Sequence, residues 1–299
     1  MSIYIGSGVA LCTPFDNKGN FNGLAYENFI DFQVKEGTAA LVSCGTTGES
    51  ATLSSAEHIE VVRTAVLAAK KCGEKYGRKV PVIAGAGGNN TRECVSMGKS
   101  LASAGVDALM YVTPYYNKTS QSGLIAHYTH IAQNVELPIV VYNVPVRTSL
   151  NMLPKTLETI AKLPNICAVK EASGDISQIA EVIERCAADI DIYVGNDDQI
   201  LPTLALGGKG AISTMGNIAP AVIQGIVDKF FDGDLEGSRK LQLEILPLIR
   251  LLFADVNPMP VKAAVNKLGF EMGDCRLPLT SITEAHANEL FAQMTKFGL

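Results

Sequence analysis

The sequence predicts an α/β fold: a closed (β/α)8 TIM barrel followed by a C-terminal helical extension. Short apolar runs recur along the chain, each followed by a turn rich in Gly, Ser, Thr or Asn and then by an amphipathic stretch. About eight such strand–helix units in roughly 230 residues are typical of this barrel. A doubly wound open sheet would usually carry a nucleotide-binding glycine fingerprint, of which GAGGNN (85–90) is only a fragment.

The apolar runs predict the strands, and amphipathic stretches between them predict helices. The predicted strands cover residues 8–15, 39–44, 80–85, 107–112, 138–143, 165–170, 191–195 and 209–214, with helices such as 55–71 and 91–105 between them. Ser54 or Ser55 can cap the first of these helices, and Gly73 is a natural C-terminal stop for it.

The last part of the chain is expected to be helical, because no strand-like run appears in it. Helix patterns occupy residues 235–253, 258–270 and 281–297. We therefore predict a catalytic barrel over residues 1–232 and a helical segment over 233–299 that packs on the barrel. No Pro/Ser-rich linker or low-complexity segment separates the two.

Composition and charge favour a globular enzyme that acts on small molecules. The chain has 299 residues, of which 47% are hydrophobic and 18% charged, enough to bury a sizeable core. The net charge is -5 and the Lys and Arg residues are scattered, so no basic stripe suggests a nucleic-acid or membrane surface. The most apolar late segment, LEILPLIRLLFADV, is broken by Pro247 and Arg250 and is too short an apolar run for a membrane span.

The N-terminus and the cysteines indicate a cytoplasmic protein. No charged segment precedes the apolar residues of MSIYIGSGVALCTPF, as one would in a signal peptide. The seven cysteines include no CxxC pair and their number is odd, which favours free thiols in a reducing compartment.

Polar residues follow seven of the predicted strands, at the end where a (β/α)8 barrel has its active site. In chain order they are GTTGES (45–50), GAGGNN (85–90), TPYYN (113–117), YNVPVRT (142–148), Lys170, GNDD (195–198) and ISTMGN (212–217). One polar strand end could arise by chance, whereas seven that converge on one rim predict a site.

Lys170 is the unusual residue of this rim, because it ends a run, NICAVK, that otherwise suits a buried strand. It could be a solvated rim lysine or the ion-pair partner of a nearby carboxylate. Alternatively, an amine in a partly apolar barrel mouth has a lowered pKa, since desolvation disfavours its charged form. Such an amine can condense with a ketone to a protonated Schiff base, which then acts as an electron sink.

Four further residues have the chemistry that a Schiff-base site needs, although each also has a structural explanation. Tyr142 ends the fifth strand beside the sixth, so its hydroxyl could transfer protons at Lys170 or simply cap a barrel layer. Thr46 and Thr47 offer hydroxyls and backbone N–H groups suited to a carboxylate, or form a turn and cap. Arg147 could bind a second carboxylate through two hydrogen bonds, or lie on the surface.

Metal and serine-nucleophile chemistry have less support. The four histidines, His58, His127, His130 and His286, lie on predicted helices away from the strand ends. His127 and His130 share a helical face, but no nearby carboxylate completes a metal site. Since no GxSxG motif appears either, we predict no metal and no serine nucleophile.

Six motifs, GTTGES, TPYYN, YNVPVRT, VKEASG, GNDD and GGKGAIST, resemble those of the dihydrodipicolinate synthase / N-acetylneuraminate lyase family of pyruvate-dependent class I aldolases. They occur in the family's order and spacing, and the resemblance covers essentially the whole chain. The arginine of YNVPVRT and the late PMPVKAA segment are similar to the synthase branch. That branch condenses pyruvate with L-aspartate-4-semialdehyde to 4-hydroxy-tetrahydrodipicolinate, for lysine and diaminopimelate biosynthesis.

The resemblance implies roles for the residues of the reaction centre. Lys170 would form the Schiff base with pyruvate, and Tyr142 would donate and accept protons in a relay with Thr46 and Tyr116. In this family the tyrosine that matches Tyr116 reaches into the neighbouring subunit's site, so a dimer would be the minimal active unit and a homotetramer the usual assembly. No cofactor would be needed, because the second substrate's own amine displaces the lysine.

The resemblance also implies which residues hold the substrates. Thr47 and the backbone at Ile212 and Gly195 would hold pyruvate, and Arg147 would bind the carboxylate of L-aspartate-4-semialdehyde. Two alternatives stay open. One is an aldolase for sialic acid or a 2-keto-3-deoxy sugar acid with the same lysine and tyrosine, although the sialic acid branch usually lacks the arginine. The other is a barrel that binds a keto acid without reacting with it.

Some members of the family bind L-lysine at a subunit interface as a feedback inhibitor. The positions that match that site here are Ser50, Ala51, His58, Asn89, Glu93 and Tyr115. Asn89 and Glu93 could pair with an amino acid's ammonium group, and Tyr115 could donate to its carboxylate. Ser55 stands where lysine-sensitive members often carry a histidine, which leaves lysine inhibition open.

Overall fold

The computed structural model describes residues 2–299, and in that range eight parallel strands close into a barrel in sequence order. The strands are β1 Gly6–Ala10, β2 Ala40–Ser43, β3 Val82–Gly85, β4 Ala108–Val112, β5 Ile139–Asn143, β6 Ile166–Glu171, β7 Asp191–Val194 and β8 Gly210–Ser213. Each strand pairs with the next, and β8 closes the barrel against β1, with Ile212 beside Gly8. The predicted barrel is confirmed.

Helices alternate with the strands around the barrel, and more helices follow the last strand. The barrel helices are α1 Gly23–Lys35, α2 Ser55–Tyr76, α3 Thr91–Ser103, α4 Gln121–Asn134, α5 Pro145–Thr148, α6 Pro154–Ala161, α7 Ile176–Cys186, α8 Ile200–Leu206 and α9 Pro220–Phe231. The C-terminal helices are α10 Leu235–Glu244, α11 Leu246–Leu252, α12 Met259–Lys267 and α13 Glu284–Phe297. Within residues 2–299 no helix is both long and apolar enough to cross a membrane.

The first strand lies earlier in the chain than the sequence pattern predicts. The apolar run covers residues 8–15, whereas β1 ends at Ala10. Residues 11–15 are buried outside the sheet, and the C-terminal segment contacts Phe15, whose N–H donates to the carbonyl oxygen of Met272 at 2.9 Å. A buried loop and a buried strand look alike in sequence, because both exclude water.

Helix α2 begins where the sequence predicts and ends later. Ser54 Oγ accepts from the Glu57 N–H, and the Glu57 carboxylate accepts in return from the Ser54 N–H. The predicted stop at Gly73 is wrong, since the helix continues to Tyr76 and is capped by Gly77 in the left-handed conformation. Gly73 serves instead for close packing, because a Cβ there would lie 2.9 Å from the carbonyl oxygen of residue 78.

Side chains of the strands alternate between two buried layers, one inside the barrel and one against the helices. On β6, Ala168 belongs to the inner layer and Val169 to the outer layer. The same alternation directs Lys170 into the mouth of the barrel. It directs Glu171 outward, where its carboxylate accepts a hydrogen bond from Asn143 Nδ2 at 3.1 Å.

A buried ion pair attaches the C-terminal segment to the loop after β2. Lys262 Nζ lies 2.7 Å from Glu49 Oε1, and both side chains are almost wholly buried. The second carboxylate oxygen of Glu49 accepts from the Arg276 N–H at 2.8 Å, and Lys262 also donates to the carbonyl of Asp274 at 3.0 Å. The ammonium group sits 4.2 Å from the ring centroid of Phe15. These contacts compensate for removing two charges from water.

The seven cysteines are free thiols in the part of the chain that the structure describes, as the sequence predicts. Burial raises the pKa of Cys44 to about 12 and that of Cys94 to about 11, because a thiolate is poorly solvated in the interior. These two thiols therefore stay protonated and unreactive near neutral pH.

We expect Lys262→Met to destabilise the fold strongly, because it leaves the Glu49 carboxylate buried without its cation. Removing one partner of a buried pair costs about 3–5 kcal/mol. Urea unfolding followed by circular dichroism would measure the loss. Lys71→Met, which removes the exposed partner of Glu27, is the matched control and should leave the midpoint unchanged. Equal midpoints for the two variants would contradict the prediction.

Candidate active site

The polar ends of the strands enclose a cavity of about 800 Å³ at the mouth of the barrel. Thr46, Tyr142 and Arg147 line one part of it, together with Asn257 from the loop between α11 and α12. Of the other predicted residues of the reaction centre, Lys170, Thr47 and Ile212 are buried and Tyr116 is exposed, and none of them lines the cavity. The C-terminal segment thus forms part of the cavity.

Lys170 is buried at the end of β6, with only 6% of its surface exposed. Within residues 2–299 no carboxylate lies within 4.0 Å of its amine, so it is neither a solvated rim lysine nor half of an ion pair. Burial lowers the pKa of Lys170 to about 8, with the nearby Arg147 acting in the same direction and Asp197 opposing. At pH 7 roughly a tenth of the amine is therefore neutral and nucleophilic, far more than for an ordinary lysine.

Tyr142 stands directly beside Lys170, as the strand order predicts. The two residues are in register between β5 and β6, and the amine lies 4.5 Å from the centroid of the tyrosine ring. Burial raises the pKa of Tyr142, while Arg147 and a hydrogen bond with Thr46 lower it in part. The structure thus brings Lys170 and Tyr142 together, and Thr46 lines the same cavity as Tyr142.

Thr47 and Arg147 are joined through Asn257, a residue that the sequence reasoning missed. Thr47 is buried, and its Oγ1 accepts from Asn257 Nδ2 at 3.0 Å. Arg147 Nη2 donates to the backbone carbonyl of Asn257 at 3.5 Å. The only signal in the sequence was the PMPVKAA motif that starts one residue after Asn257.

Gly195 packs directly against the reactive lysine. A Cβ on Gly195 would lie 2.9 Å from Lys170 Cε and 2.7 Å from Ala172 Cβ, so no side chain fits there. The Gly195 N–H already donates to the Glu171 carbonyl at 2.7 Å, which leaves only its own carbonyl oxygen for a ligand. Ile212 is wholly buried in the inner layer of the barrel.

Asp197 is a second residue that the sequence reasoning did not single out, although it lies in the GNDD motif. It is 1% exposed, and its Oδ2 accepts from the backbone N–H groups of Thr214 at 3.1 Å and Met215 at 2.8 Å. Burial raises the pKa of Asp197, and these hydrogen bonds oppose the increase. Its carboxylate is a negative charge close enough to favour a cation at Lys170.

Tyr116 does not join the reaction centre of its own chain. Its side chain is 91% exposed, its backbone has a φ of 60°, and it is absent from the cavity wall. A left-handed conformation is unfavourable for a tyrosine, so the backbone at this position is strained. Within one chain, the predicted relay of Thr46, Tyr142 and Tyr116 is therefore incomplete.

The other part of the cavity contains all the residues predicted to bind L-lysine, namely Ser50, Ala51, His58, Asn89, Glu93 and Tyr115. Asn89 holds the loop after β4, because it accepts from the Tyr115 N–H at 2.7 Å and donates to the Tyr115 carbonyl at 2.6 Å. His58 is closer to the strand ends than the sequence predicts: its Nε2 lies 2.8 Å from the carbonyl oxygen of Gly85, the last residue of β3. The two predicted sites share one cavity.

The remaining histidines have structural contacts. His127 Nδ1 lies 2.9 Å from Thr91 Oγ1, and His286 Nε2 lies 2.8 Å from the carbonyl oxygen of Leu251. Among residues 2–299, no group of three His, Cys, Asp or Glu side chains is placed to hold a metal ion.

Comparison with known proteins identifies relatives along the whole chain. The model of the dihydrodipicolinate synthetase family matches residues 4–297. The 4-hydroxy-tetrahydrodipicolinate synthase of Lachnoclostridium phytofermentans is 48% identical over 300 residues, which cover 100% of both chains.

Solved structures agree with this assignment. The dihydrodipicolinate synthase of Cyanidioschyzon merolae with lysine bound is 37% identical, with a TM-score of 0.95 and 100% of both chains covered. The chloride-inhibited synthase of Acinetobacter baumannii complexed with pyruvate is 35% identical, with a TM-score of 0.94 over 98% of this chain and 99% of that one. A synthase described as the first monomeric variant is 38% identical, with a TM-score of 0.93 over 99% and 97%. The chain therefore belongs to the dihydrodipicolinate synthetase family.

Proposed function

We propose that the chain is a class I aldolase-type lyase that condenses pyruvate with L-aspartate-4-semialdehyde to 4-hydroxy-tetrahydrodipicolinate. The environment of Lys170 carries the proposal: a buried amine with a pKa of about 8 and, in residues 2–299, no carboxylate within 4.0 Å. The name of the 48% identical relative supports this reaction over cleavage of a sugar acid. A barrel that only bound a keto acid would have no use for a desolvated amine.

Schiff-base formation is the first step. The neutral amine of Lys170 attacks the ketone carbon of pyruvate, and the oxygen takes a proton from Tyr142 to give a carbinolamine. Tyr142 recovers a proton from the nitrogen and returns one to the leaving hydroxyl, so that water departs and the iminium forms. Thr46 and the partner subunit's Tyr116 would complete the relay to solvent.

Carbon–carbon bond formation follows from the charge of the iminium. The cation acidifies the methyl group, which gives a proton to the Tyr142 oxygen, left deprotonated when water departed, and becomes the nucleophilic carbon of an enamine. The buried Asp197 carboxylate stabilises the iminium electrostatically before this proton leaves. Thr47 would hold the carboxylate of pyruvate through its hydroxyl, and the carbonyl of Gly195 and the wall at Ile212 would complete the pocket.

The second substrate enters through the cavity above this pocket. Arg147 is exposed at the cavity wall and would bind the carboxylate of L-aspartate-4-semialdehyde. The enamine carbon attacks the aldehyde carbon, and the aldehyde oxygen takes the proton back from Tyr142 to become a hydroxyl. The substrate's own amine then attacks the re-formed iminium carbon and expels the amine of Lys170, which closes the ring without a cofactor.

The active unit is proposed to be a homo-oligomer, with a homotetramer as the expected assembly. Tyr116 lies outside the reaction centre of its own chain, and its side chain is 91% exposed. The cytoplasmic location stays a prediction from the sequence.

The second half of the cavity is proposed to bind L-lysine as a feedback inhibitor. The Glu93 carboxylate and the Asn89 amide offer acceptors for ammonium groups, and the Tyr115 hydroxyl offers a donor for a carboxylate. The lysine complex of the related Cyanidioschyzon merolae structure supports this use of the cavity. Ser55 also lines it and provides no imidazole ring, which weakens the site relative to members that carry histidine there.

We expect pyruvate and borohydride together to add one carboxyethyl group to the protein, because reduction traps the iminium. Intact-mass spectrometry measures the gain. Lys170→Ala should show no adduct, and Lys71→Ala, a matched exposed lysine, should react like the unaltered chain. Absence of an adduct in the unaltered protein at any pyruvate concentration would refute the Schiff-base mechanism.

The rate of adduct formation should depend on pH through Lys170. Only the neutral amine attacks, so the rate should rise about ten-fold per pH unit below about pH 8 and level off above it. Asp197→Asn removes a negative charge that favours the ammonium form, so its midpoint should move to lower pH. A midpoint near the ordinary lysine value of about 10.4 would contradict the assigned environment.

L-Lysine should inhibit the condensation through the second half of the cavity. We expect millimolar L-lysine to slow the unaltered enzyme, and Glu93→Ala to abolish the effect while the basal rate is kept, because Glu93 lies outside the reaction centre. Steady-state rates at increasing L-lysine measure both. An unchanged rate up to millimolar concentrations would remove the proposal.

A further inference from the structure

We propose that Glu171 and Asn143 hold Lys170 beside Tyr142 from the outer side of the barrel and are therefore positioning residues for the reaction. The inference rests on the proposed function, because it concerns the geometry of the same reaction centre. Neither Glu171 nor Asn143 lines the cavity. Their side chains lie behind β5 and β6, the two strands that end in the reactive lysine and tyrosine.

Strand β6 is irregular near its start. Ile166 is in register with Ile139 of β5, but the next residue of β5, Val140, is in register with Ala168, so Cys167 has no partner in this ladder. Ala168 belongs to the inner layer of the barrel, and Cys167 packs against the same layer. Two consecutive residues therefore face inward. Such a bulge turns every later residue of the strand to the opposite face of the sheet.

The bulge decides which face Lys170 occupies. In the bulged register Lys170 stands beside Tyr142 inside the barrel, and Glu171 stands beside Asn143 outside it. Without the bulge, continued pairing from the start of the two strands would set Lys170 against Asn143, among the helices, and would turn Glu171 into the mouth. The two registers differ by one residue, and the reaction centre exists in only one of them.

The outer side chains form a contact that only the bulged register permits. Asn143 Nδ2 donates to both carboxylate oxygens of Glu171, at 3.1 and 3.2 Å, and both residues are 1% exposed. Asn143 Oδ1 accepts from the backbone N–H of Met152 at 2.9 Å, which fixes the orientation of the amide. Glu171 Oε1 also accepts from the Ser173 N–H at 2.7 Å. Each of these groups donates to the carboxylate, so the pair is complementary as it stands.

Glu171 is buried without a cation. Within residues 2–299 no Lys, Arg or His nitrogen lies within 4.0 Å of its carboxylate, whereas the buried Glu49 lies 2.7 Å from Lys262 Nζ. Burial raises the pKa of Glu171, and the hydrogen bonds from Asn143 and Ser173 oppose the increase. A buried charge of this kind costs stability, so its position directly behind the reactive residues indicates a role in the site.

The experiment exchanges the two groups of the pair. Glu171→Gln sets an amide donor against Asn143 Nδ2, and Asn143→Asp sets a second carboxylate against Glu171, so each substitution disrupts the contact. The double variant Asn143→Asp/Glu171→Gln restores it with donor and acceptor exchanged, because the new amide donates to the new carboxylate. The amides of Asn151 and Gln178, which bond to each other next to Asn143, can turn over together to match the exchange.

The measurement is the rate of adduct formation with pyruvate and borohydride at about pH 9.5. At that pH the Lys170 amine is already neutral, so a change of charge nearby does not alter its reactivity. We expect each single substitution to slow the reaction about ten-fold or more, because reacting groups are misplaced. The double variant should return to within about three-fold of the unaltered enzyme. Glu184→Gln, at an exposed glutamate of α7, is the matched control and should react like the unaltered enzyme.

An unaltered rate in Glu171→Gln would overturn the inference, and so would a double variant as slow as the single ones. A merely structural role would appear as a lower urea midpoint combined with a normal rate in the folded protein, which would overturn it as well. If Asn143→Asp does not fold, Glu171→Gln and the double variant decide, since neither adds a buried charge. No adduct in the unaltered enzyme removes the proposed function itself, whereas adducts at equal rates in all variants remove only the role of this pair.

Discussion

The buried pair of Glu49 and Lys262 is the interaction on which the site depends. Glu49 ends the short loop that carries Thr46 and Thr47, and Lys262 belongs to the segment that also carries Asn257. Neither charge is stable in the interior without the other, since desolvating an isolated ion costs several kcal/mol. The loop that carries Thr46 and Thr47 and the segment that carries Asn257 are therefore positioned by one contact.

Two buried lysines in this chain show how environment decides chemistry. Both ammonium groups face an aromatic ring, at 4.5 Å for Lys170 and 4.2 Å for Lys262. Lys262 has a carboxylate and a carbonyl as partners, whereas Lys170 has neither within residues 2–299, and burial lowers the pKa of Lys170 to about 8. The unfolded chain keeps the proton of this amine up to about pH 10.4, so Lys170 opposes folding most below about pH 8 and less as the pH rises between these values.

The barrel and the lysine–tyrosine centre could be predicted from the sequence because both follow from periodicity and strand order. Tyr142 and Lys170 end consecutive strands, and parallel register alone places them side by side. Asn257 could not be predicted in the same way. It lies in a loop between two helices after the last strand, so neither periodicity nor strand order places it near the barrel mouth. The first strand was misplaced because residues 11–15 are buried in a loop, and a buried loop has the same apolar pattern as a buried strand.

The late position of three residues in the chain determines when the site can assemble during translation. They are Asn257, Lys262 and Arg276. All three lie near the end of the chain and leave the ribosome after the eighth strand has been made. Until then Glu49 lacks its ion-pair partner Lys262. Thr47 lacks the hydrogen bond from the side-chain amide of Asn257, and Arg147 lacks the Asn257 carbonyl as an acceptor. A growing chain can complete its barrel, yet catalytic competence is withheld until translation is almost finished.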